Sequence, residues 1–254
     1  MRIAITGATG LIGHAISEMQ RASGHDVVRV GRGVQADVTF DQALDEFLAP
    51  ESLAGCEALV HAAGVTDEDF ADRQLAFDKA VHGAQALLDA ALEAGVRRLV
   101  YVSSTHVYGP LEGLIDETRA PNPLSDYAIA HFATEQLFRR AGLKRGVSTL
   151  LVRPCAVFGM PPSLERFNRW SLIPFDFPRQ AVAGRIVLRS PGTQRRNFVS
   201  IEGLGYLVGW WLGRSASGTT VASCDSPYIT STATNCPGLS KPSGFGRSIS
   251  AAAE

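Results

Sequence analysis

The stretch Arg2-Ile3-Ala4-Ile5-Thr6-Gly7-Ala8-Thr9-Gly10-Leu11-Ile12-Gly13 decides the fold. Arg2 to Thr6 is a β-rich run and Leu11 to Arg21 has helical periodicity, so glycines spaced GxxGxxG join a strand to a helix. Gly7 permits the tight turn, Gly10 a close approach of phosphate to the backbone, and Gly13 the packing of helix on sheet. Free N–H groups and the positive dipole end of the helix then face the phosphates. The context predicts a dinucleotide site, with a purely structural turn as the competing reading.

Outward from this loop the same rhythm repeats. Asp26 to Val30, Glu57 to His61, Arg97 to Ser103 and Val147 to Arg153 read as strands. Arg73 to Ala94 reads as a helix ending at Gly95, and Ser125 to Ala141 as one stopped by Gly142. Alternation of this kind predicts an α/β fold: a doubly wound parallel sheet, Rossmann-like, over residues 1–160. After Pro154 the rhythm breaks at Pro161, Pro162, Pro174 and Pro178. Residues 161–254 are expected to form a small, incomplete substrate lobe that also returns strand and helix segments to the core. Its Ser/Thr-rich tail from Arg214 shows little periodicity.

Composition narrows the class without naming it. The chain has 254 residues, 45% hydrophobic and 19% charged, enough for one large domain with a core. Lys plus Arg number 24 against 25 Asp plus Glu, which provides no basic field for nucleic acid. No run approaches the roughly 18 apolar residues of a membrane span, and Leu204 to Leu212 is the longest candidate. Glycines interrupt the N-terminal apolar run, against a signal peptide. Cys56, Cys155, Cys224 and Cys236 are scattered without metal-ligand spacing, so reduced thiols, no metal and a cytoplasmic protein are expected.

The end of the second strand bears on the choice between NAD and NADP. An acid there binds the adenosine ribose of NAD, but this chain reads Val28-Arg29-Val30-Gly31-Arg32. Arg32 can meet a 2′-phosphate, with Arg29 a weaker candidate, which leans toward NADP. A solvated surface arginine is the alternative. Asp37, followed by Val38, is placed to meet the adenine ring or to sit in an exposed turn.

The chain resembles the extended short-chain dehydrogenase/reductase family, in its NAD-dependent nucleotide-sugar epimerase/dehydratase branch. Besides the glycine loop, the resemblance rests on Leu59-Val60-His61-Ala62-Ala63-Gly64, on Val102-Ser103-Ser104-Thr105-His106-Val107-Tyr108-Gly109 and on Asp126-Tyr127-Ala128-Ile129-Ala130-His131. Arg153-Pro154-Cys155-Ala156-Val157-Phe158-Gly159 and Arg196-Asn197-Phe198-Val199 complete it. The resemblance implies hydride transfer between a nicotinamide and a sugar carbon, with Tyr127 as acid–base group and Ser104 orienting the oxygen. It places cofactor contacts at Gly7, Thr9, Gly10, Leu11, Ile12, Gly13, His61, Ala62, Ala63, Tyr127, His131 and Pro154. Thr105 and Arg196 fall on the substrate side, with Arg196 at the arginine that meets a nucleotide diphosphate. Arg166, Arg169 and Arg195 add charge nearby, or form a solvated rim.

Departures from the family pattern carry as much information. His131 holds the place of the lysine that lowers the tyrosine pKa and holds the nicotinamide ribose. An i, i+4 spacing puts it on the Tyr127 face of the helix. A free tyrosine titrates near pH 10, and an imidazole is mostly neutral above about 6.5, so the substitution bears on catalysis more than on binding. Restoring lysine is expected to raise turnover. Thr105 and His106 stand where dehydratases carry acids, Ala80 where the family has an asparagine, and Phe158 where it has a tyrosine. Three functions remain open: a nucleotide-sugar epimerase or related oxidoreductase, a non-catalytic or weakly active dinucleotide-binding protein, and a reductase of a small non-sugar carbonyl. Expected partners are a small-molecule substrate and a second copy of the chain as a homodimer, not nucleic acid or membrane.

Overall fold

Seven parallel strands form the main sheet of a computed structural model, in the order β3-β2-β1-β4-β5-β6-β9. The structure describes residues 1–45, 47–113, 115–165, 167–188, 191, 196–214 and 219–224, the last six through their backbone. Arg166, Arg195, Cys236 and the tail beyond residue 224 lie outside the described residues.

In chain order the elements are β1 (Arg2–Thr6), α1 (Leu11–Ala22), β2 (Asp26–Gly31), β3 (Val38–Thr39), β4 (Ala58–His61), α2 (Arg73–Asp78), α3 (Ala84–Glu93) and β5 (Arg98–Val102). Then come α4 (Asp126–Arg145), β6 (Ser148–Pro154), β7 (Ala156–Phe158), α5 (Ile173–Val182), β8 (Phe198–Ser200), α6 (Ile201–Leu212) and β9 (Thr219–Cys224). This is the expected Rossmann-like α/β fold. Strand order reverses between β1 and β4, and the glycine loop leaves β1 at that reversal, where open α/β sheets form their ligand crevice.

Both faces of the sheet are covered, which explains the near-continuous apolar strands. Leu59, Leu99 and Leu151 pack toward Leu87 and Leu88 of α3 and Phe138 of α4. Ile3, Ile5, Val60, Val100 and Val152 pack with Ile16 of α1 and with Leu204, Val208 and Trp211 of α6. Truncating one such leucine to alanine costs about 2–5 kcal/mol. The C-terminal part thus returns to the core through α6 and through β9, whose Val221 pairs with Leu151 of β6. β7 and β8 form a separate parallel pair.

Two helices differ from the sequence reading. The run from Arg73 is interrupted by a π-type turn, Lys79–Gly83, before α3 begins. Gly142 does not stop α4: it is buried within the helix, which continues to Arg145 and ends on Gly146 in the left-handed conformation (φ 65°). The short β3, β7 and β8 lack a periodic run of their own, and β9 follows a Ser/Thr-rich composition that reads as coil.

α4 is pinned to β6 by a buried ion pair. Arg153 donates from Nε and Nη2 to both carboxylate oxygens of Glu135, at 2.9 and 2.7 Å. Its guanidinium also lies 4.7 Å over the Tyr108 ring. This bidentate geometry fixes the helix that carries Tyr127 against the strand edge bordering the site. Among the described residues no helix is long and apolar enough to cross a membrane, and no cluster of metal-ligating side chains occurs.

Candidate functional site

The glycine loop is closed by backbone contact. Gly7 has φ +68°, and a Cβ there would lie 2.7 Å from the Ala62 carbonyl oxygen. A Cβ on Gly13 would lie 2.3 Å from the Gly7 carbonyl oxygen, so the first turn of α1 rests on the loop itself. Gly10 caps α1 with no side-chain hydrogen bond, and the first turn holds no acid. Beside the loop lies a cleft of about 190 Å3, lined by Thr6, Gly7, Ala8, Thr9, the Arg29–Gly33 segment, Ala63, Asp69 and Lys79. Free N–H donors, a positive helix end and absent side chains together fit a pyrophosphate.

At the outer end of this cleft Gly31 and Arg32 form the strand tip, with Arg32 exposed. Arg29 is occupied elsewhere. Its Nη2 and Nε donate to the two Asp37 carboxylate oxygens at 2.8 and 3.1 Å, and its N–H donates to the same carboxylate at 2.9 Å. These hydrogen bonds hold the Asp37 pKa down to about 2. Asp37 and Val38 are not among the residues lining this cleft, and Asp37 is taken up by Arg29. The carboxylate is turned onto Arg29 because that side chain presents a bidentate fork across the β2–β3 edge.

His61 also departs from expectation. It is fully buried, stacked against Tyr101 and Phe138, rather than open to a cofactor. The Gln42 amide donates to Nε2 at 3.2 Å and to the Lys79 carbonyl at 3.0 Å. Nδ1–H of His61 is then the donor to Thr6 Oγ1 at 2.7 Å, an oxygen that also accepts from the Ala62 and Ala63 N–H groups. Burial, then the Lys79 charge, lowers the His61 pKa to about 3. His61 braces the glycine loop from beneath.

Beyond Ala63 lies the second half of the site. Ser104 follows β5 and caps a short 3₁₀ turn, Thr105–Tyr108, accepting from the His106 N–H at 3.3 Å. Its hydroxyl lies near enough to the Tyr127 phenol to favour the ionised form of that phenol. Tyr127 enters on the first turn of α4, capped by Ser125, which accepts from the Ala128 N–H at 3.2 Å. The Tyr127 ring is wedged between two histidines, edge-on to His131 at 4.5 Å and to His106 at 5.7 Å between centroids. Burial raises the Tyr127 pKa; the neighbouring Ser104 hydroxyl and then the Arg169 charge oppose it.

His131 is not a cation here. The Tyr101 hydroxyl donates to Nδ1 at 2.7 Å, and Nε2–H donates to the Val65 carbonyl at 3.2 Å. The carbonyl accepts only, which assigns the proton to Nε2. Burial lowers the His131 pKa to about 4, the Val65 hydrogen bond opposing it. Both ring nitrogens are used inside the protein, so neither faces a ribose hydroxyl. The i, i+4 pairing with Tyr127 holds, whereas the charge and the free donor of a lysine do not.

The remaining expected residues divide. Pro154 ends β6 beside the site and is buried, and Thr105 is buried in its turn. Arg196 is exposed, before β8, and its charge lowers the His106 pKa after burial does. The carbonyl of Ala80, at the asparagine position, accepts from Thr134 Oγ1 at 2.7 Å and so still links the π-type turn to α4. Tyr101, Gln42 and Lys79 were not foreseen. Tyr101 and Gln42 act only through partners distant in sequence, and Lys79 falls within an apparently regular helix. Lys79 Nζ lies 3.0 Å from Asp69 at the cleft wall.

A family model described as the NAD dependent epimerase/dehydratase family matches residues 3–218. The chain belongs to this family. Among curated family relatives, the N-acetyl-alpha-D-glucosaminyl-diphospho-ditrans,octacis-undecaprenol 4-epimerase of Escherichia coli O157:H7 is 23% identical over 236 residues, covering 86% of this chain and 65% of that protein. The sterol demethylase protein B of Methylococcus capsulatus is 29% identical over 212 residues, covering 78% of this chain and 60% of that protein. The chain thus spans less than two thirds of the length of these two relatives. Among solved structures, MoeE5 in complex with UDP-glucose and NAD superposes with a TM-score of 0.77 at 25% identity, covering 89% of this chain and 77% of that one. DesIV, the dTDP-glucose 4,6-dehydratase of Streptomyces venezuelae with NAD and TYD bound, gives 0.73 at 26%, covering 88% and 76%.

Proposed function

We propose that the chain binds a nicotinamide dinucleotide along the cleft and acts as a nucleotide-sugar epimerase or related oxidoreductase. The observation that carries this reading is the Ser104–Tyr127 hydroxyl pair, lying at the strand ends beyond Ala63 and the glycine loop. The relatives named with NAD and nucleotide sugars support the cofactor and substrate class.

A bound nicotinamide dinucleotide supplies the hydride acceptor and donor. The N–H groups at the start of α1 hold its pyrophosphate, and Arg32 stands ready for a 2′-phosphate. In its ionised form the Tyr127 oxygen would take the proton of a substrate hydroxyl set against Ser104 while the substrate carbon gives up a hydride. The Ser104 hydroxyl keeps that oxygen oriented. Returning the proton from Tyr127 completes an epimerisation or a reduction. Arg196, exposed beside His106, is the residue proposed for the sugar diphosphate.

A second reading, a dinucleotide-binding protein with little or no turnover, draws on the neutral, fully engaged His131. One experiment separates the two: identify any dinucleotide that copurifies, titrate NAD(H) and NADP(H) into the full chain, and screen nucleotide sugars for interconversion. Tight dinucleotide binding with turnover supports the first reading. Binding with no turnover on any nucleotide sugar favours the second.

A further inference from the structure

The helical run after β4 is reshaped where it reaches the cleft. Between α2 and α3 lies the π-type turn Lys79–Gly83, a kind of interruption that recurs at functional sites. Side chains from two other elements hold its backbone. The Lys79 carbonyl accepts from the Gln42 amide at 3.0 Å, and the Ala80 carbonyl from Thr134 Oγ1 at 2.7 Å, while the Ala84 N–H donates to Val81. A Cβ on Gly83 would lie 1.8 Å from the Gln42 carbonyl oxygen, so the turn rests directly on the segment that follows β3. Lys79, Gln42 and Asp69 together line the cleft that borders the glycine loop.

The Lys79 side chain is held as firmly as its backbone. Nζ donates to Asp69 Oδ2 at 3.0 Å, and only 17% of the lysine side chain is exposed. Asp69 Oδ2 also accepts from the Thr66 N–H at 2.6 Å and from the Thr66 hydroxyl at 3.1 Å, which ties the carboxylate to the 3₁₀ turn Asp67–Ala71. An ammonium has three donors and Asp69 takes one, which leaves two for a ligand. The other cations of the cleft lining, Arg29 and Arg32, come from β2 and its tip, and Arg29 is engaged by Asp37 through two nitrogens. Lys79 comes from the β4 side of the glycine loop.

We propose that Lys79 is a cofactor-binding residue that donates to a phosphoryl oxygen of the dinucleotide, with Asp69 as its built-in counter-ion. This rests on the reading of the cleft as a dinucleotide site. Asp69 keeps the ammonium at the cleft wall, and a phosphoryl group takes up the donors that the carboxylate leaves over. The same carboxylate repels the incoming anion, so the two residues act on binding with opposite signs. A pair that only braced the turn would act with one sign.

The test is calorimetric titration of the full chain with NAD(H) and NADP(H). Lys79→Met is expected to weaken binding about tenfold, as loss of a charged hydrogen bond does, and Lys79→Arg to restore most of it. Asp69→Asn keeps an acceptor for the Thr66 N–H and is expected to bind about threefold more tightly than wild type. A loss shared by both dinucleotides places Lys79 on the pyrophosphate, and a loss confined to NADP(H) places it on the 2′-phosphate; either upholds the proposal. Binding by Lys79→Met within twofold of wild type overturns it and leaves the dinucleotide reading standing. An equal loss in Lys79→Met and Asp69→Asn overturns it in favour of a structural brace. If Lys79→Met fails to fold, Asp69→Asn decides: tighter binding upholds the proposal, and unchanged or weaker binding overturns it. A wild type that binds neither dinucleotide overturns both this proposal and the reading beneath it.

Discussion

The Tyr101 hydroxyl donates to Nδ1 of His131 over 2.7 Å. With Nε2–H given to the Val65 carbonyl, this bond turns the residue at the lysine position into a neutral strut between α4, β5 and the segment after β4. A charged imidazole would carry protons on both nitrogens and oppose the Tyr101 hydrogen on Nδ1.

Acid therefore destabilises the fold through its buried histidines. His131 and His61 are held to about 4 and about 3, whereas an unfolded histidine titrates near 6.5. Below about 6.5 the unfolded chain takes up protons that the folded chain does not, so stability is full above that pH and falls on acidification toward 4 and then 3. Urea midpoints measured from pH 7 down to pH 4.5 are expected to drop. His131→Gln, which keeps an acceptor for Tyr101 and a donor for Val65, should make the drop shallower.

Lysine at position 131 has two opposed effects. It removes the acceptor of the buried Tyr101 hydroxyl, at a cost of about 1–3 kcal/mol, and brings a cation to the Tyr127 face. His131→Lys is expected to melt several degrees lower, while its turnover rises and its pH profile shifts toward acid. Thermal unfolding and pH–rate profiles on the same preparation check both.

Much of this was legible in the sequence because it is local. The glycine loop, β1 and α1, and the four longer strands follow from spacing and runs of apolar residues. Ser104 and Tyr127 follow from their motifs. The engagement of His131, the burial of His61 and the pairing of Asp37 with Arg29 were not legible. Each depends on a partner brought in by the sheet: Tyr101 and Val65, Thr6 and Gln42, and the turn between β2 and β3. The end of α4 was misplaced for a related reason. Gly142 has the composition of a stop, but the left-handed residue is Gly146, four positions on.

Removing one partner of the Glu135–Arg153 pair leaves a buried guanidinium without its counter-charge. Glu135→Ala is expected to cost about 3–5 kcal/mol, since both groups are shielded from water. Calorimetry should show a marked fall in Tm, and loosening of α4 should lower turnover in the surviving folded protein. A change within about 0.5 kcal/mol would contradict a structural role for the pair.

With Arg29 taken up by Asp37, Arg32 is the residue proposed to decide cofactor choice. Arg32→Ser is expected to weaken NADP(H) binding about tenfold, or about 1.4 kcal/mol, and to leave NAD(H) binding within twofold. Calorimetric titration with both dinucleotides checks this. Equal loss for both would place Arg32 on a phosphate they share.

Tyr127 is the group proposed to take and return the substrate proton. The most direct measurement follows interconversion of UDP- and dTDP-linked sugars by wild type and Tyr127→Phe, each supplied with NAD or NADP and checked for bound dinucleotide. The predicted result is turnover by the wild type and a loss of about 10²-fold or more in Tyr127→Phe, which still binds the dinucleotide. Interconversion that continues undiminished in Tyr127→Phe would contradict it.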